Sequence, residues 1–204
     1  MIASPSRGAV ALAFAVALAS VAPRAEAQSL RLWESTALEV AAHGGAIRFD
    51  VEGTEPSLGG RVGIHFANGL GLGVALDWAS RRIEFEGQSA DADTWLYAAE
   101  ARYTIPSTTP ANFFVFGGLG QARFEPGPLE EIAGAEATEE LLIPIGLGIL
   151  WANHPGPSWW AIRAELRDNI ILLDASEEHG RDDDAVTNNY ALAVGLAVLL
   201  GGGP

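Results

Sequence analysis

The chain has 204 residues, no cysteine and a formal charge of −14. That length fits one sizeable domain, and the missing cysteine excludes disulfides, thiol chemistry and Cys-based metal sites. The acidic balance argues against nucleic acid as a partner, because there is no basic patch to neutralise phosphates.

Met1–Ala27 reads as a secretory signal peptide. Arg7 supplies a positive start, Ala9–Val21 an apolar run, and Ala25-Glu26-Ala27 a small-x-small cleavage site. The segment contains Arg7, Arg24 and Glu26, a net +1, so its removal takes the charge from −14 to −15. Residues 28–204 then form the mature domain. Hydrophobic residues make up 49% of the chain, yet beyond the first segment no uninterrupted apolar run could span a bilayer as a helix.

The rest alternates with a period of two, the mark of strands. The first strand is expected at Ala37–Gly44, with Leu38, Val40 and Ala42 on one face and Glu39, Ala41 and His43 on the other. Leu58–Trp78 reads as a hairpin. Its even positions (Leu58, Val62, Ile64, then Leu72, Val74, Leu76) are apolar, and its odd positions are Gly59, Arg61, Gly63 and His65, then Gly71, Gly73, Ala75 and Asp77. Joining two even faces needs an odd loop, and Ala67-Asn68-Gly69 supplies three residues, with Gly69 in the left-handed position. Ile64 should then oppose Leu72, Val62 should oppose Val74, and Arg61 should oppose Ala75 with Asp77 on a diagonal.

A fourth strand is expected at Trp95–Tyr103, with Glu100 and Arg102 inward. A fifth spans Asn112–Phe124, and placing Gln121 and Arg123 inward puts Phe114, Phe116 and Phe124 outward. The sixth, Leu141–Trp151, contains Pro144, which cannot donate to a ladder and needs a bulge or an unpaired position. The seventh, Trp159–Ile170, sets Trp160, Ile162 and Leu166 against Arg163, Glu165 and Arg167. The eighth, Asn189–Leu200, sets Tyr190, Leu192, Val194, Leu196, Val198 and Leu200 against Ala191, Ala193, Gly195 and Ala197.

A water-facing sheet surface usually displays Lys, Thr and Glu. Here the face opposite the apolar one is mostly glycine and alanine with occasional charges, which suits a crowded lumen while the apolar face meets lipid. The connections agree. Ala67–Gly69, Ile105–Ala111 and Ala152–Ser158 are short and hold no charged residue, whereas Gly45–Ser57, Arg82–Thr94, Glu125–Glu140 and Asn169–Asn188 are long and acidic. Strict alternation of short and long is expected of an up-and-down transmembrane barrel with periplasmic turns and outer loops. The expected fold is therefore all-β, an eight-stranded antiparallel transmembrane barrel with no open edge.

On these features the chain resembles the small outer-membrane β-barrel family, of the kind formed by the OmpA and OmpX membrane domains. The resemblance covers the mature chain and rests on its architecture, on strand phrases such as FVFGGLGQARF, and on the closing strand. Gly195, Val198 and Leu200 match the spacing that the barrel-assembly machinery reads, although the family ends on an aromatic residue and this chain on Leu200-Gly201-Gly202-Gly203-Pro204. The resemblance implies location in the outer membrane, with its lipid as partner.

One inward constellation stands out: Glu39, Asp77, Glu100 and Glu165 with Arg61, Arg81, Arg102, Arg123, Arg163 and Arg167. Eight strands leave an interior just wide enough for side chains to fill, so the expectation is a structural ion-pair network; its rival is a selectivity path for a small solute. The histidines His43, His65, His154 and His179 are expected to be solvated, and no Ser stands beside them to suggest catalysis. Asp182-Asp183-Asp184 with Glu177 and Glu178 lacks EF-hand spacing; loose bridging of divalent cations there is a modest expectation. Trp33, Trp78, Trp95, Trp151, Trp159, Trp160, Tyr97, Tyr103 and Tyr190 suit interfacial girdles. No catalytic residue, cofactor or resident metal is expected, and no protein partner is indicated. Two rival functions remain, a soluble lipocalin-like barrel for a small apolar ligand and a lipid-modifying membrane enzyme.

Overall fold

The computed structural model describes residues 36–49, 53–85, 88–105, 107–128, 136–152, 160–173 and 185–201. Eight strands form one closed antiparallel barrel: β1 (Ala37–Phe49), β2 (Gly53–His65), β3 (Leu70–Phe85), β4 (Gln88–Ile105), β5 (Ala111–Glu125), β6 (Thr138–Ala152), β7 (Trp160–Leu173) and β8 (Ala185–Leu200). Neighbours in sequence are neighbours in the sheet, and β1 closes on β8 from Leu38↔Leu200 to Arg48↔Tyr190. Closure gives every strand two partners, so backbone donors and acceptors are satisfied without water. The expectation for Met1–Ala27 falls outside the described residues.

Alternation determines which face each residue takes. Leu58, Val62, Ile64, Leu72, Val74, Leu192, Val194 and Leu196 all point outward and are exposed. Between Tyr190 and Leu200 on β8, about 33 Å of strand tilted by roughly 40° spans about 25 Å, the height of a barrel's apolar band. Outward aromatics lie toward its two ends: Trp78, Trp95 and Tyr190 at one, Tyr103, Trp151 and Trp160 at the other. Trp33 and Trp159 lie outside the described residues.

The hairpin register is the one expected, with Ile64↔Leu72, Val62↔Val74 and Arg61↔Ala75. Gly69 has φ +88°, and its N–H donates to the Phe66 carbonyl at 3.0 Å. Only glycine adopts that conformation without strain. Pro144 resolves its missing donor without a bulge. The β5–β6 ladder runs to Gly117↔Ile145 and resumes in the same register at Gly120↔Leu142, leaving Pro144 in an unpaired stretch.

Two expectations are corrected. First, β5 has the opposite parity. Phe114 and Phe116 are buried in the lumen, while Gln121 and Arg123 face outward. Both faces of FFVFGGLGQARF carry apolar and small residues, so hydropathy alone could not choose between them. Second, two of the stretches expected to be long loops, Gly45–Ser57 and Arg82–Thr94, are largely ladder. β1 and β2 pair up to Phe49↔Gly53, and β3 and β4 pair up to Phe85↔Gln88. Beyond the apolar band the alternation inverts, with Arg48 outward and exposed while Ile47 and Phe49 are inward and buried, so a strand sought by its apolar outer face ends early while backbone pairing continues.

Candidate functional site

The inward faces of β1–β4 and β7 bring eight charged side chains together in the lumen. Glu39 sits at the short-turn end. It accepts from Arg102 Nη1 at 2.8 Å and from Arg163 Nη1 at 2.9 Å, and it also meets His65 Nε2. Glu165 accepts on one oxygen from Arg163 Nε at 2.9 Å and Nη2 at 2.6 Å. Its other oxygen takes Arg61 Nη2 at 2.7 Å and Arg167 Nη2 at 3.2 Å. Glu100 accepts from Arg61 Nη1 and, at 2.9 Å, from Arg167 Nη2. Asp77 ends the chain, accepting from Arg167 Nη1 at 2.9 Å and sharing a 2.5 Å hydrogen bond with His43 Nε2.

Four carboxylates thus meet four guanidiniums, and the formal charges of these eight side chains cancel. All eight residues are buried, Glu39 completely. Burying an ion costs several kcal/mol unless partners replace its water, and planar guanidiniums bridging successive carboxylates do that here. Near Arg61, His65, Glu100 and Arg102 the structure leaves a gap of about 10 Å³, enough for about one water.

The reversed parity of β5 completes this layer. Phe114 lies 4.5 Å from the Arg163 guanidinium and 4.9 Å from that of Arg102. Phe116 lies 5.0 Å from Arg167 and 5.3 Å from Arg61. Each ring therefore supports two guanidiniums through cation–π contact, which strengthens as water is removed. The rings fit because β6 places glycines beneath them, in the pairs Phe114↔Gly148 and Phe116↔Gly146.

The residues expected in the network divide. Glu39, Arg61, Asp77, Glu100, Arg102, Arg163, Glu165 and Arg167 converge. Arg81 is also inward, with its guanidinium 5.7 Å from the Phe49 ring and 5.8 Å from Phe124. Arg123 is not in the lumen: its side chain is 46% exposed and pairs with Glu125 at 3.0 Å and Glu139 at 3.6 Å. The expected diagonal from Arg61 to Asp77 is replaced by bonds from Arg61 to Glu100 and Glu165, while Asp77 is engaged by Arg167 and His43. His43 and His65 are buried members of the network and not solvated residues. His154, His179 and the run Asp182-Asp183-Asp184 lie outside the described residues. Among those described, no group of three or more His, Asp or Glu could hold a metal ion.

Toward the long-hairpin end the lumen holds an apolar cluster, with Arg81 and the buried Thr94, Asn169 and Asn189 interspersed. Ile47, Phe49, Leu96, Leu142 and Ile171 pack together, with Phe124 and Leu173 against them. The charged layer and this mixed, largely apolar layer therefore lie in series along the barrel axis. Lumen and exterior are the reverse of a lipocalin, whose cavity must be apolar and its outer face polar.

Comparison with known proteins agrees with this architecture. The family described as "Outer membrane protein beta-barrel domain" matches residues 10–203. Among curated proteins none matches the chain in sequence. Among solved structures, Neisserial surface protein A has 16% identity and a TM-score of 0.51, covering 80% of this chain and 96% of its own. The N-terminal barrel of Pseudomonas aeruginosa OprF has 11% identity and a TM-score of 0.52, with 81% and 98% covered. Pseudomonas aeruginosa OprG has 9% identity and a TM-score of 0.57, with 84% and 98% covered. At these identities the likeness concerns the fold alone. With an apolar exterior, a closed eight-stranded ladder and a family match over nearly its whole length, the chain belongs to the outer-membrane β-barrel family.

Proposed function

We propose that the chain is a non-enzymatic structural barrel of the outer membrane that carries its long acidic hairpins on the cell surface. Met1–Ala27 acts as the export signal, and residues 28–204 are the barrel inserted by the assembly machinery. The short turns face the periplasm. One observation carries the reading: the lumen is occupied by a mutually bonded network of four carboxylates and four guanidiniums beneath a largely apolar cluster. Such an interior favours rigidity over passage of a solute. A buried polar network is retained only where nearly every charge has a partner, and these charges do.

A lipid-modifying activity has less support. His43 and His65 each face a carboxylate inside the wall, where an acyl chain has no room to reach them. Divalent cations bridging the acidic outer segments to anionic headgroups remain part of the reading, and adding Mg²⁺ should then raise the thermal midpoint.

Cell fractionation combined with gel mobility tests the proposal. The protein should be recovered in the outer-membrane fraction and migrate differently in SDS before and after boiling. Recovery in the soluble periplasm with no heat-dependent shift would overturn the reading. Unchanged lipid A profiles on overexpression are expected of a non-enzymatic protein, and an altered profile lost on His43→Ala would count against it.

A further inference from the structure

We propose that the chain pairs in the membrane with a second copy of itself through the outer face of β7, β8 and β1, with Tyr190 at the twofold axis and Arg48 of each copy bonded to Asp168 of the other. The proposal goes beyond the structural role above and rests only on the barrel being embedded in the outer membrane.

Three outward residues form one row across these strands, Arg48↔Tyr190↔Asp168. Ladder partners followed once around the barrel from Leu200 return to β8 at Tyr190, ten residues along the strand. Each row therefore climbs toward the long hairpins as it passes from β7 to β8 to β1, by about 3 Å per strand for strands about 4.8 Å apart and tilted by about 40°. Tyr190 belongs to the aromatic girdle, so Arg48 stands above it at headgroup level and Asp168 below it, against the acyl chains.

Asp168 is out of place at that depth. Its outward neighbours are Leu166 and Ile170 along β7 and Ile145 across the ladder. Its Oδ1 is shielded from solvent and has no hydrogen-bond partner. Among the described residues the carboxylate makes no ion pair, and neither does the exposed Arg48. The lumen network cannot serve Asp168, because Arg167 and Asn169 on either side of it point inward. A charge against hydrocarbon is costly without a counter-charge.

The two charges together specify the occupant. An anionic headgroup suits Arg48 and repels Asp168, and a free cation does the reverse. A second copy supplies both at once. A twofold axis along the membrane normal through Tyr190 brings the β1 side of one copy against the β7 side of the other, so each Arg48 faces the other copy's Asp168. The remaining drop of about 6 Å, two strand steps, is within reach of an arginine whose stem lies along apolar surface while its guanidinium seeks the carboxylate. Tyr190 is 53% exposed and Leu192, the next outward residue below it, 59%, so both offer apolar contact beside the axis.

Disulfide trapping in native outer membranes, combined with native mass spectrometry of the folded barrel released from detergent, tests the interface. The chain has no cysteine of its own. Tyr190→Cys should therefore form a disulfide dimer on mild oxidation, while Trp95→Cys, in the same girdle across the barrel on β4, should not. The wild type should show a dimer by mass, and Arg48→Gln and Asp168→Asn should each weaken dimerisation by at least about tenfold. The double exchange Arg48→Asp with Asp168→Arg should restore the dimer, which a change in lipid contact alone would not do. A monomeric wild type, a dimer that persists in both single variants, a folded exchange variant that stays monomeric, or equal trapping at Trp95→Cys would overturn the interface. The heat-dependent gel shift, read on every sample, separates loss of the dimer from loss of the barrel.

Discussion

Phe114 stands directly across the β5–β6 ladder from Gly148, and its ring occupies the space a side chain at Gly148 would need. A Cβ there would fall 2.8 Å from Phe114 Cε1, closer than real contacts allow. Phe116 and Gly146 repeat the relationship, with a Cβ 2.6 Å from the ring's Cζ. The two glycines thus place the aromatic floor on which Arg61, Arg102, Arg163 and Arg167 rest.

Gly148→Val should therefore displace Phe114 and loosen two guanidiniums together. Overpacking of this kind costs about 1–3 kcal/mol. The expected readout is a lower urea midpoint for the folded band on unboiled gels. Val at outward Ala164, adjacent in the sheet but on the lipid face, should leave that midpoint unchanged.

Glu39→Leu removes a carboxylate that serves Arg102, Arg163 and His65, and leaves two guanidiniums short of a partner. Breaking a buried pair from one side costs about 3–5 kcal/mol. By contrast, Arg82→Ala deletes an exposed bond of 3.3 Å to Asp91, and exposed pairs contribute roughly 0–1 kcal/mol. Equilibrium unfolding in detergent should separate the two variants clearly. Similar midpoints would show that the lumen charges are more hydrated than their burial implies.

The orientation of β5 can be checked by single-cysteine labelling, since the chain has no cysteine of its own. In intact membranes Arg123→Cys should react readily with a charged maleimide, because its position is outward at headgroup level. Ala122→Cys, one residue away and fully buried, should not. The reverse pattern would restore the parity that hydropathy first suggests.

Much of this fold is legible in the residues because seven strands carry an unambiguous alternation. In β8, Leu192, Val194 and Leu196 face Ala191, Ala193 and Ala197, and no other register hides one set from water and exposes the other to lipid. The strand β5 is different. Phe113, Phe114, Val115 and Phe116 are apolar on both sides, so its direction depends on contacts made far away in sequence, with Arg102 of β4 and Arg163 of β7. The charges of the site were visible as inward residues, but their partners were not. Arg61 takes Glu100 and Glu165, which lie 39 and 104 positions away. His43 and His65 shared the inward face with the charges, and that parity was the available signal for their burial. The hairpin extensions beyond the apolar band are not legible as lipid-facing strand because their alternation is inverted, with Ile47 and Phe49 inward and Arg48 outward.

Single-molecule conductance across a planar bilayer tests the sealed lumen most directly. With the bonded ion network and the largely apolar layer in series, the folded barrel should insert, as verified by its gel shift, and carry no sustained current above the bare bilayer at neutral pH. Stable ohmic steps from the wild-type protein would contradict the account, because they would require a continuous water path through Glu39, Glu165 and Leu142.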